Sequence, residues 1–352
     1  MDADKLNDLR AKFSAAKDGD ILDPALREIS QQLFPAGRTP TKPYSGVSTF
    51  LDLPHRAEAD LQDRLKNLDV AIVGVPMDLG VTHRSGARFG PRAIRAIERI
   101  GPYHHVHRFA PSTRLRAADI GDVPFRTRYS LTDSHDDIES FFKSIHDAKV
   151  VPIAAGGDHS MSRPVLRALG RERPLAMVHI DAHCDTSGPY EGSKFHHGAP
   201  FREAVLDGVL DPERTIQIGI RGTAEINYEF SKASGMTVIH AEELQNYSIE
   251  SLHQEIRRVV GSGPTYISFD IDSLDPAFAP GTGTPEVGGL TTRQALDILY
   301  GLRGLNIVGG DVVEVAPQYD PTTNTAQAAA QILFEIFCLV ALARDGTQPA
   351  NT

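Results

Sequence analysis

The pattern of apolar and polar residues becomes regular at residue 69. Short apolar runs rich in β-branched residues predict buried strands. The stretches between them carry apolar residues at every third or fourth position, which is typical of helices that bury one face. The predicted strands lie at 70–75, 150–155, 175–181, 215–220, 266–272 and 306–314, and the predicted helices near 91–97, 138–145, 162–169, 199 onward, 252–260, 291–303 and 323–343. Strand–helix alternation with short connections indicates a single three-layer α/β/α domain with a mostly parallel sheet.

Residues 1–67 differ from the rest because they are polar and are interrupted by several prolines. They predict one or two short helices and then an extended arm through 44–51. We expect this arm to pack on its own domain or on a neighbouring subunit. The expected organisation is an N-terminal extension at 1–67, a main domain at 68–346 and a C-terminal tail at 347–352.

Composition and charge narrow the class of protein. The net charge of −10 argues against a nucleic acid as partner, because phosphates require a basic surface. Two cysteines give no disulfide framework and fit a reducing compartment. The N-terminus lacks the features of a secretory or mitochondrial leader. The apolar stretch 326–343 contains two glutamines and Glu335, which favours a buried helix over a membrane span. We therefore expect a cytoplasmic protein that binds neither nucleic acid nor membrane.

Polar clusters follow four of the predicted strands. They are Gly156-Gly-Asp-His-Ser160, Asp181-Ala-His-Cys-Asp185, the pair Asp270 and Asp272, and Glu314. The carboxyl ends of parallel strands meet at one edge of a sheet, and ligands bind there. Asp181, His183 and Asp185 lie two residues apart, so we expect an extended chain to point all three in the same direction.

Six side chains in these clusters are potential metal ligands. They are His159, Asp181, His183, Asp185, Asp270 and Asp272. Six ligands exceed the four that a tetrahedral zinc ion takes. Four clustered carboxylates also repel one another unless positive charge compensates them. Two divalent ions supply that charge and commonly share carboxylates. The mixture of oxygen and nitrogen ligands favours Mn²⁺, with Ni²⁺, Co²⁺ or Fe²⁺ as alternatives.

These motifs resemble those of the ureohydrolases, the family of arginases, agmatinases and related guanidino-acid hydrolases. The third motif is Ser268-Phe-Asp-Ile-Asp-Ser-Leu-Asp-Pro276, and its continuation to Leu290 is closest to the agmatinase-like branch. The resemblance extends over about 69–344, so 68–346 is the expected catalytic domain. It implies an arginase-like fold and a binuclear manganese centre, with nickel as the alternative metal. It also implies hydrolysis of a guanidinium group to urea and an amine, and a homo-oligomer, either a trimer or a hexamer.

The resemblance also implies roles for individual residues. One ion is expected to bind His159, Asp181, Asp185 and Asp270, and the other His183, Asp181, Asp270 and Asp272, so that Asp181 and Asp270 bridge the two ions. Glu314 matches the glutamate that binds the guanidinium, and a carboxylate suits that planar cation. Thr284 matches a hydroxyl at the mouth of the site, and His197 matches a histidine that moves protons. Asp185 is also expected to orient the attacking hydroxide.

The sequence leaves the tail of the substrate open. The loop 82–88 departs from the usual family form Asn-Arg-Pro-Gly-Ala-Arg. An amine tail such as that of agmatine would favour Glu191 as its partner. A carboxylate tail such as that of 4-guanidinobutyrate or 3-guanidinopropionate would favour Arg84, Lys194 or His83. Guanidine itself, a small alkylguanidine or a biguanide is a further alternative.

Two functions of other classes are also open. One is a non-catalytic subunit or binding protein on the same fold, which loss of a ligand would indicate, and none is lost. The other is a single-zinc amide hydrolase of the deacetylase type. The run His104-His105-Val-His107 lies outside the strand ends, and we interpret it as a loop or interface feature. Cys184 is expected to pack away from the ligands. His196 is taken as a neighbour of His197 without a role.

Overall fold

A single eight-stranded sheet forms the centre of the computed structural model, which describes residues 2–13, 45–98, 102–222 and 228–344. The strands are β1 (Val70–Gly74), β2 (Ala117–Asp122), β3 (Val151–Ala155), β4 (Leu175–Ile180), β5 (Leu210–Ile220), β6 (Thr237–His240), β7 (Thr265–Asp270) and β8 (Ile307–Val313). Their order is β2-β1-β3-β8-β7-β4-β5-β6, and adjacent strands are parallel.

Helices cover both faces of this sheet. In the described residues they are α1 (Ala3–Phe13), α2 (Leu61–Leu65), α3 (Gly90–Arg95), α4 (Leu131–Asp147), α5 (Ser162–Leu169), α6 (Pro200–Leu206), α7 (Glu229–Ser234), α8 (Ile249–Val260), α9 (Thr292–Tyr300) and α10 (Asn324–Arg344). One apolar cluster joins the sheet to α4, α5 and α6, and the other joins it to α8, α9 and α10. The predicted three-layer α/β/α domain is therefore confirmed.

The local signals in the sequence explain where the helices form. In α4, Ile138, Phe141, Phe142 and Ile145 are buried at helical spacing. The Ser130 side chain caps the start of this helix by accepting a hydrogen bond from the backbone of the first turn. The predicted capping box of Thr291 and Gln294 is present at the start of α9.

Two strands and one helix were not predicted. Strand β2 carries the buried Asp119, which is ion-paired with Arg95 at 2.7 Å and breaks the apolar pattern. Strand β6 has only four residues, and helix α7 only six. Both strands lie at the edges of the sheet, where strands are commonly short or interrupted by charges.

Helix α10 is the described helix that is long and apolar enough to span a membrane. Within its apolar window, 78% is buried inside the protein. Its one acidic residue, Glu335, accepts hydrogen bonds from His104 and Gln331. The prediction of a buried terminal helix is confirmed.

Part of the N-terminal extension packs on the chain's own domain. Phe50 is fully buried, its backbone N–H donates to Asp119, and the guanidinium of Arg95 lies 3.9 Å from the centre of its ring. The predicted extended arm turns at this point into a 3₁₀ helix, Phe50–Asp52. Helix α1 buries no residue, and residues 14–44 and 345–352 lie outside the described part of the chain.

The four strands that precede the polar clusters are neighbours at the centre of the sheet. The order β3-β8-β7-β4 places them side by side. Their registers pair Ala155 with Val312, Val312 with Phe269, and Phe269 with Ile180. All four strands therefore end at the same level, and the side chains that follow them are brought together.

Candidate metal centre and substrate cavity

His159 lies among three of the predicted carboxylate ligands. Its Nδ1 atom is 2.8 Å from Asp185 Oδ2, and 3.2 Å from both Asp181 Oδ2 and Asp270 Oδ2. His159 is fully buried, and its Nδ1 has no hydrogen-bond partner. A buried ring nitrogen that faces three carboxylate oxygens has the surroundings of a metal ligand.

The protonation of His159 follows from its other ring nitrogen. Nε2 lies 2.8 Å from Ser268 Oγ, and that hydroxyl donates to Asp311 Oδ1 at 2.7 Å. The carboxylate of Asp311 only accepts, so the Ser268 hydroxyl must accept the Nε2 proton of His159. A neutral His159 therefore keeps its lone pair on Nδ1, as metal binding requires.

His183 forms the second half of the cluster. Its Nδ1 lies 3.2 Å from Asp272 Oδ2 and 3.5 Å from Asp181 Oδ1. Thr284 Oγ1 donates to Asp272 Oδ2 at 3.1 Å. The two oxygens of Asp181 thus face different histidines, which is the arrangement expected of a carboxylate that bridges two ions.

The electrostatics of the cluster require added positive charge. Burial, and then the charges of Asp272 and Asp181, raise the pKa of Asp270 well above its ordinary value. Burial also raises the pKa of Asp272. These carboxylates are all nearly inaccessible to water, so they cannot all be ionised without compensation. Two divalent cations would provide it, and the donor set fits them.

His179 also touches the cluster, although no role was predicted for it. Its Nε2 lies 2.8 Å from Asp181 Oδ2, and its Nδ1 lies 2.9 Å from Gln217 Nε2. The Gln217 amide nitrogen also donates to the carbonyl of Cys184, which fixes the orientation of the amide. His179 Nδ1 is therefore an acceptor, and Nε2–H donates to Asp181. We infer from these contacts that His179 orients Asp181, a predicted ligand, and is not itself a ligand.

The prediction that an extended chain points Asp181, His183 and Asp185 in the same direction was wrong. Strand β4 ends at Ile180, so alternation along an extended chain does not apply to the residues after it. Asp185 instead has φ of 51°, in the left-handed region, and the turn carries its carboxylate back toward His159. The side chain of Asp181 stabilises the same turn by accepting from the backbone N–H of His183. The residues converge as predicted, but through a turn.

Glu314 lies beside the cluster with one oxygen unpaired. Its Oε1 accepts from the backbone N–H of His159 at 2.8 Å and faces His197 Nδ1 at 3.0 Å. Its Oε2 is buried and has no partner. Glu314 also has φ of 63°, a conformation that costs a non-glycine residue roughly 1–3 kcal/mol and that often occurs at functional sites.

His197 lies between Glu314 and Thr82. Thr82 Oγ1 is 2.6 Å from His197 Nε2, and the Thr82 backbone N–H donates to the same atom at 3.1 Å. Burial lowers the pKa of His197, but the charge and hydrogen bond of Glu314, together with the charges of Asp185 and Asp158, outweigh this effect and raise the pKa to about 9. The raised pKa favours the protonated ring, in which Nε2–H would be donated to the Thr82 hydroxyl and could no longer accept from the backbone N–H. Sequence reasoning missed Thr82.

A cavity of about 550 Å³ opens over the cluster and is lined in part by Asp185, His197 and Thr284. A second cavity of about 410 Å³ adjoins it and is lined by His83, Arg84 and Glu286, among others. All of the predicted catalytic, substrate-binding and metal-binding residues thus lie in one place.

Only some of the residues that were predicted to bind the tail of the substrate line these cavities. Arg84 and His83 line the second cavity, whereas neither Glu191 nor Lys194 is among the described residues that line either one. Lys194 lies 3.5 Å from the carboxylate of Glu203. Of the residues predicted to meet a substrate tail, those that line a cavity are therefore the two in the 82–88 loop.

Two neighbours of the site residues have structural contacts. His196 Nε2 donates to the carbonyl of Gly188, and its ring lies beside Tyr190. Cys184 packs with Ile220 and Tyr228, and burial raises the pKa of its thiol to about 12. Cys184 is therefore a packing residue, as predicted.

The His104 cluster is close enough to Glu335 to suggest a metal site. His104, His107 and Glu335 have potential ligand atoms within 4.8 Å of one another. However, His104 Nδ1 accepts from the backbone N–H of His107, so its proton is on Nε2 and is donated to Glu335. The proton occupies the nitrogen that a metal would need. The cluster is a hydrogen-bonded loop anchor.

Comparison with known proteins adds the decisive observation. A model of the arginase family matches residues 68–338, well over half of the chain. The chain belongs to the arginase family. A guanidinopropionase from Pseudomonas aeruginosa is 48% identical over 302 residues, covering 85% of this chain and 93% of the relative. A mitochondrial agmatinase from Gallus gallus is 47% identical over 299 residues, covering 84% and 86%. The structure of proclavaminate amidino hydrolase from Streptomyces clavuligerus matches with a TM-score of 0.81 at 36% identity, covering 86% and 100%.

Membership in the arginase family confirms the resemblance found in the three motifs. It also confirms the arginase-like fold and the prediction of a ureohydrolase, a hydrolase of guanidino compounds. The family depends on two metal ions, and the histidine and aspartate groups described above are candidates to hold them. The role of each residue and the identity of the ions stay predictions.

The hydrogen bonds from His159 through Ser268 to Asp311 predict the effect of Asp311→Asn on metal binding. Asp311 Oδ2 accepts from Ser162 and Tyr266, and Oδ1 accepts from Ser268. An amide NH₂ in place of Oδ1 would donate to the Ser268 oxygen, so the Ser268 hydroxyl would turn and donate to His159 Nε2. The proton of His159 would then move to Nδ1 and block metal binding. We expect metal affinity to fall by about 10–100-fold, measured by metal titration of the purified protein.

Asp119→Asn is the matched control for this experiment. Asp119 is equally buried and is also fully hydrogen-bonded, but it lies on β2, away from the cluster. It should lower stability and leave metal affinity unchanged. A folded Asp311→Asn protein with normal metal affinity would contradict the role of Asp311.

Proposed function

We propose that the chain hydrolyses a guanidino acid, a guanidino compound with a carboxylate tail, to urea and an amino acid. The observation that supports the reaction most strongly is the buried and unpartnered Oε2 of Glu314 beside the six converging ligands. An unpaired carboxylate oxygen is costly to bury, and the N–H groups of a guanidinium ion are the donors that complete it.

The proposed roles follow from the contacts of each residue. Glu314 holds the guanidinium through Oε2, because Oε1 is occupied by His159 and His197. Asp185 orients the attacking oxygen. His197 provides the proton that the departing amine needs. Two divalent ions bound by the six ligands would supply a water acidic enough to attack near neutral pH, and positive charge against the anion that forms.

The carboxylate tail is supported by the charges around the second cavity. Arg84 donates from Nε to the carbonyl of Gly283 and from Nη2 to that of Thr282, and its guanidinium stacks on Tyr319. It is a fixed cation at the cavity wall. Glu286, an anion that lines the same cavity, lies 3.9 Å from His183 Nε2. The 48% identity to a guanidinopropionase fits this choice, but the 47% identity to an agmatinase is nearly equal, so the charges around the cavity carry the choice.

A urea-release assay across substrates with different tails tests this proposal. The panel is 3-guanidinopropionate, 4-guanidinobutyrate, agmatine, arginine, guanidine and metformin, with Mn²⁺ and Ni²⁺ loaded separately. We expect the two guanidino acids to give the highest kcat/KM. Preference for agmatine or guanidine would overturn the tail assignment but keep the reaction. Urea from none of them, with two ions bound, would favour a non-catalytic protein.

The variant Arg84→Gln tests the tail contact separately. We expect KM for the guanidino acid to rise by about 10-fold or more, because a hydrogen bond to a charged group contributes ~1.5–3 kcal/mol. Guanidine has no tail and is the internal control, since any effect on its hydrolysis reports only the shift of the 282–283 loop. An equal loss for both substrates would show that Arg84 acts on the loop alone.

The metal, the assembly and the location complete the proposal. We expect Mn²⁺, with Ni²⁺ as the alternative, because the ligands are rich in carboxylates. Metal analysis that returns one zinc ion per chain would instead support an amide hydrolase of the deacetylase type. We also expect a cytoplasmic homo-oligomer, a trimer or hexamer, with no nucleic-acid or membrane partner. Both cysteines are buried free thiols, which suits a reducing compartment.

The proposed organisation of the chain follows the same boundaries as above. The family match at 68–338 supports a catalytic domain at 68–346, with an extension at 1–67 and a tail at 347–352. Oligomeric state is measured by size-exclusion chromatography with light scattering. Deletion of residues 1–44 should leave the domain folded, because Phe50 and its contacts are kept.

A further inference from the structure

Thr82 contacts the proposed proton donor through two atoms. The hydroxyl and the backbone N–H both lie at His197 Nε2, at 2.6 Å and 3.1 Å. The opposite ring nitrogen, Nδ1, faces Glu314. Only 9% of the His197 side chain is exposed. In the described residues each ring nitrogen thus has one residue within hydrogen-bonding distance, and Thr82 is the one that can accept a proton from Nε2.

The loop that carries Thr82 is fixed by a close approach at Gly80. The backbone N–H of Gly80 donates to Asp158, and its carbonyl accepts from the backbone of His197. A Cβ atom at this position would lie within 3 Å of Asp158 and Ser160. A side chain is therefore excluded from Gly80, and Thr82 is held against His197 by the backbone itself.

The backbone N–H and the hydroxyl of Thr82 differ in which protonation states of His197 they can bond. The carboxylate of Glu314 only accepts, so His197 keeps a proton on Nδ1. When His197 is neutral, Nε2 accepts from the backbone N–H and the hydroxyl. When it is protonated, Nε2–H cannot be accepted by an N–H group, and only the hydroxyl oxygen can receive it. The hydroxyl serves both states and also lines the substrate cavity.

We propose that Thr82 positions His197 and that its hydroxyl relays the proton from His197 to the departing amine. This rests on the proposed function, because it concerns the same C–N cleavage. The Thr82 hydroxyl gives its proton to the amine nitrogen as the C–N bond breaks. At the same time it takes the Nε2 proton of the imidazolium. One proton moves from His197 to the product, and Thr82 is unchanged.

The charged groups around His197 are all acidic in the described residues. Glu314 follows β8, Asp185 lies on the turn after β4, and Asp158 follows β3. They stabilise the protonated ring together. Thr82 is the neutral neighbour on the remaining side, so it can determine where the proton goes without changing the net charge of the site.

Thr82→Val and Thr82→Ser test the relay with the guanidino substrate. Valine keeps the shape and the backbone N–H but removes the hydroxyl. We expect kcat to fall by about 100-fold, the lower range for loss of acid–base catalysis, with little change in KM or metal content. Serine should recover most of the rate. Thr113→Val removes a hydroxyl bonded only to the carbonyl of Ala110 and should behave as wild type.

The pH profile distinguishes a relay from a packing role. Without the hydroxyl, the Nε2 proton has no acceptor, so the pKa of His197 falls. The high-pH limb of kcat should move to lower pH in Thr82→Val and return in Thr82→Ser. A wild-type rate in Thr82→Val, a loss confined to KM, or a serine variant as slow as the valine variant would each overturn the relay.

A measurement without substrate keeps this test separate from the proposed function. Nitrogen-15 spectra of histidine-labelled protein loaded with diamagnetic Mg²⁺ report the His197 titration, assigned with His197→Asn. The pKa should be lower in Thr82→Val than in wild type. If wild type releases no urea but this pKa shift is present, the proposed hydrolase function is rejected and the contact between Thr82 and His197 is supported. If the pKa is unchanged, the relay fails whatever the activity.

Discussion

Replacing Asp181 by Asn is expected to remove both metal ions and, with them, urea release. The two oxygens of Asp181 face His159 and His183, so the change weakens both halves of the cluster at once. It also leaves His179 without its carboxylate acceptor. The loss of affinity should exceed the ~100-fold upper range for removing a group that only supports a ligand. Metal content by elemental analysis and urea release measure the two effects.

Asp272→Asn is the matched control for the bridging role. Asp272 contacts His183 and not His159, so this change should release one ion and retain the other. The comparison is between no ions in one variant and one ion in the other. Full occupancy in Asp181→Asn would contradict the bridge. Equal loss in both variants would show that the two ions bind only as a pair.

Replacing Glu314 by Gln is expected to lower kcat/KM with both ions still bound. The amide keeps the size of the side chain but loses the charge that pairs with the guanidinium. Loss of one partner of a buried charge pair costs ~2–5 kcal/mol, which corresponds to a fall of about 30-fold to several-thousand-fold. The pKa of His197 should also fall, because the charge of Glu314 is the largest of the contributions that raise it to about 9. Kinetics across pH measure both effects.

Glu286→Gln is the control from the same cavity wall. Its carboxylate lies toward His183, so we expect a change in metal affinity and little change in substrate binding. The two glutamates thus have opposite expected effects. If Glu314→Gln lost its metal ions and kept its KM, Glu314 would act on the ions and not on the substrate.

The order of strands and helices was predictable because each element carries its own pattern. The amphipathic face of α4 and the capping box of α9 are local signals, and both are present as predicted. Edge strand β2 was missed because its Asp119 contradicts the pattern of a buried strand. That charge is satisfied by Arg95, an ion pair that joins residues 24 positions apart.

The ligand set was predictable from chemistry at the strand ends. Parallel strands bring their carboxyl ends to one edge, so His159, Asp181 and Asp270 had to meet if β3, β4 and β7 were central. They are central, with β8 among them. The mistaken step was to treat 181–185 as extended. No local pattern predicts the left-handed turn at Asp185, because Asp adopts this conformation more often than most residues but still only rarely.

The sequence by itself determined the parallel α/β fold and the convergence of the six candidate ligands and Glu314, because these depend on residue type and strand position. Only the tertiary structure decided which nitrogen of each histidine carries a proton, and which side chains fix it. Thr82 and His197 are 115 positions apart, and Ser268 and Asp311 are 43 apart. Such contacts depend on how separate strands and loops pack. A local sequence pattern does not show which residues far apart in the chain will be in contact.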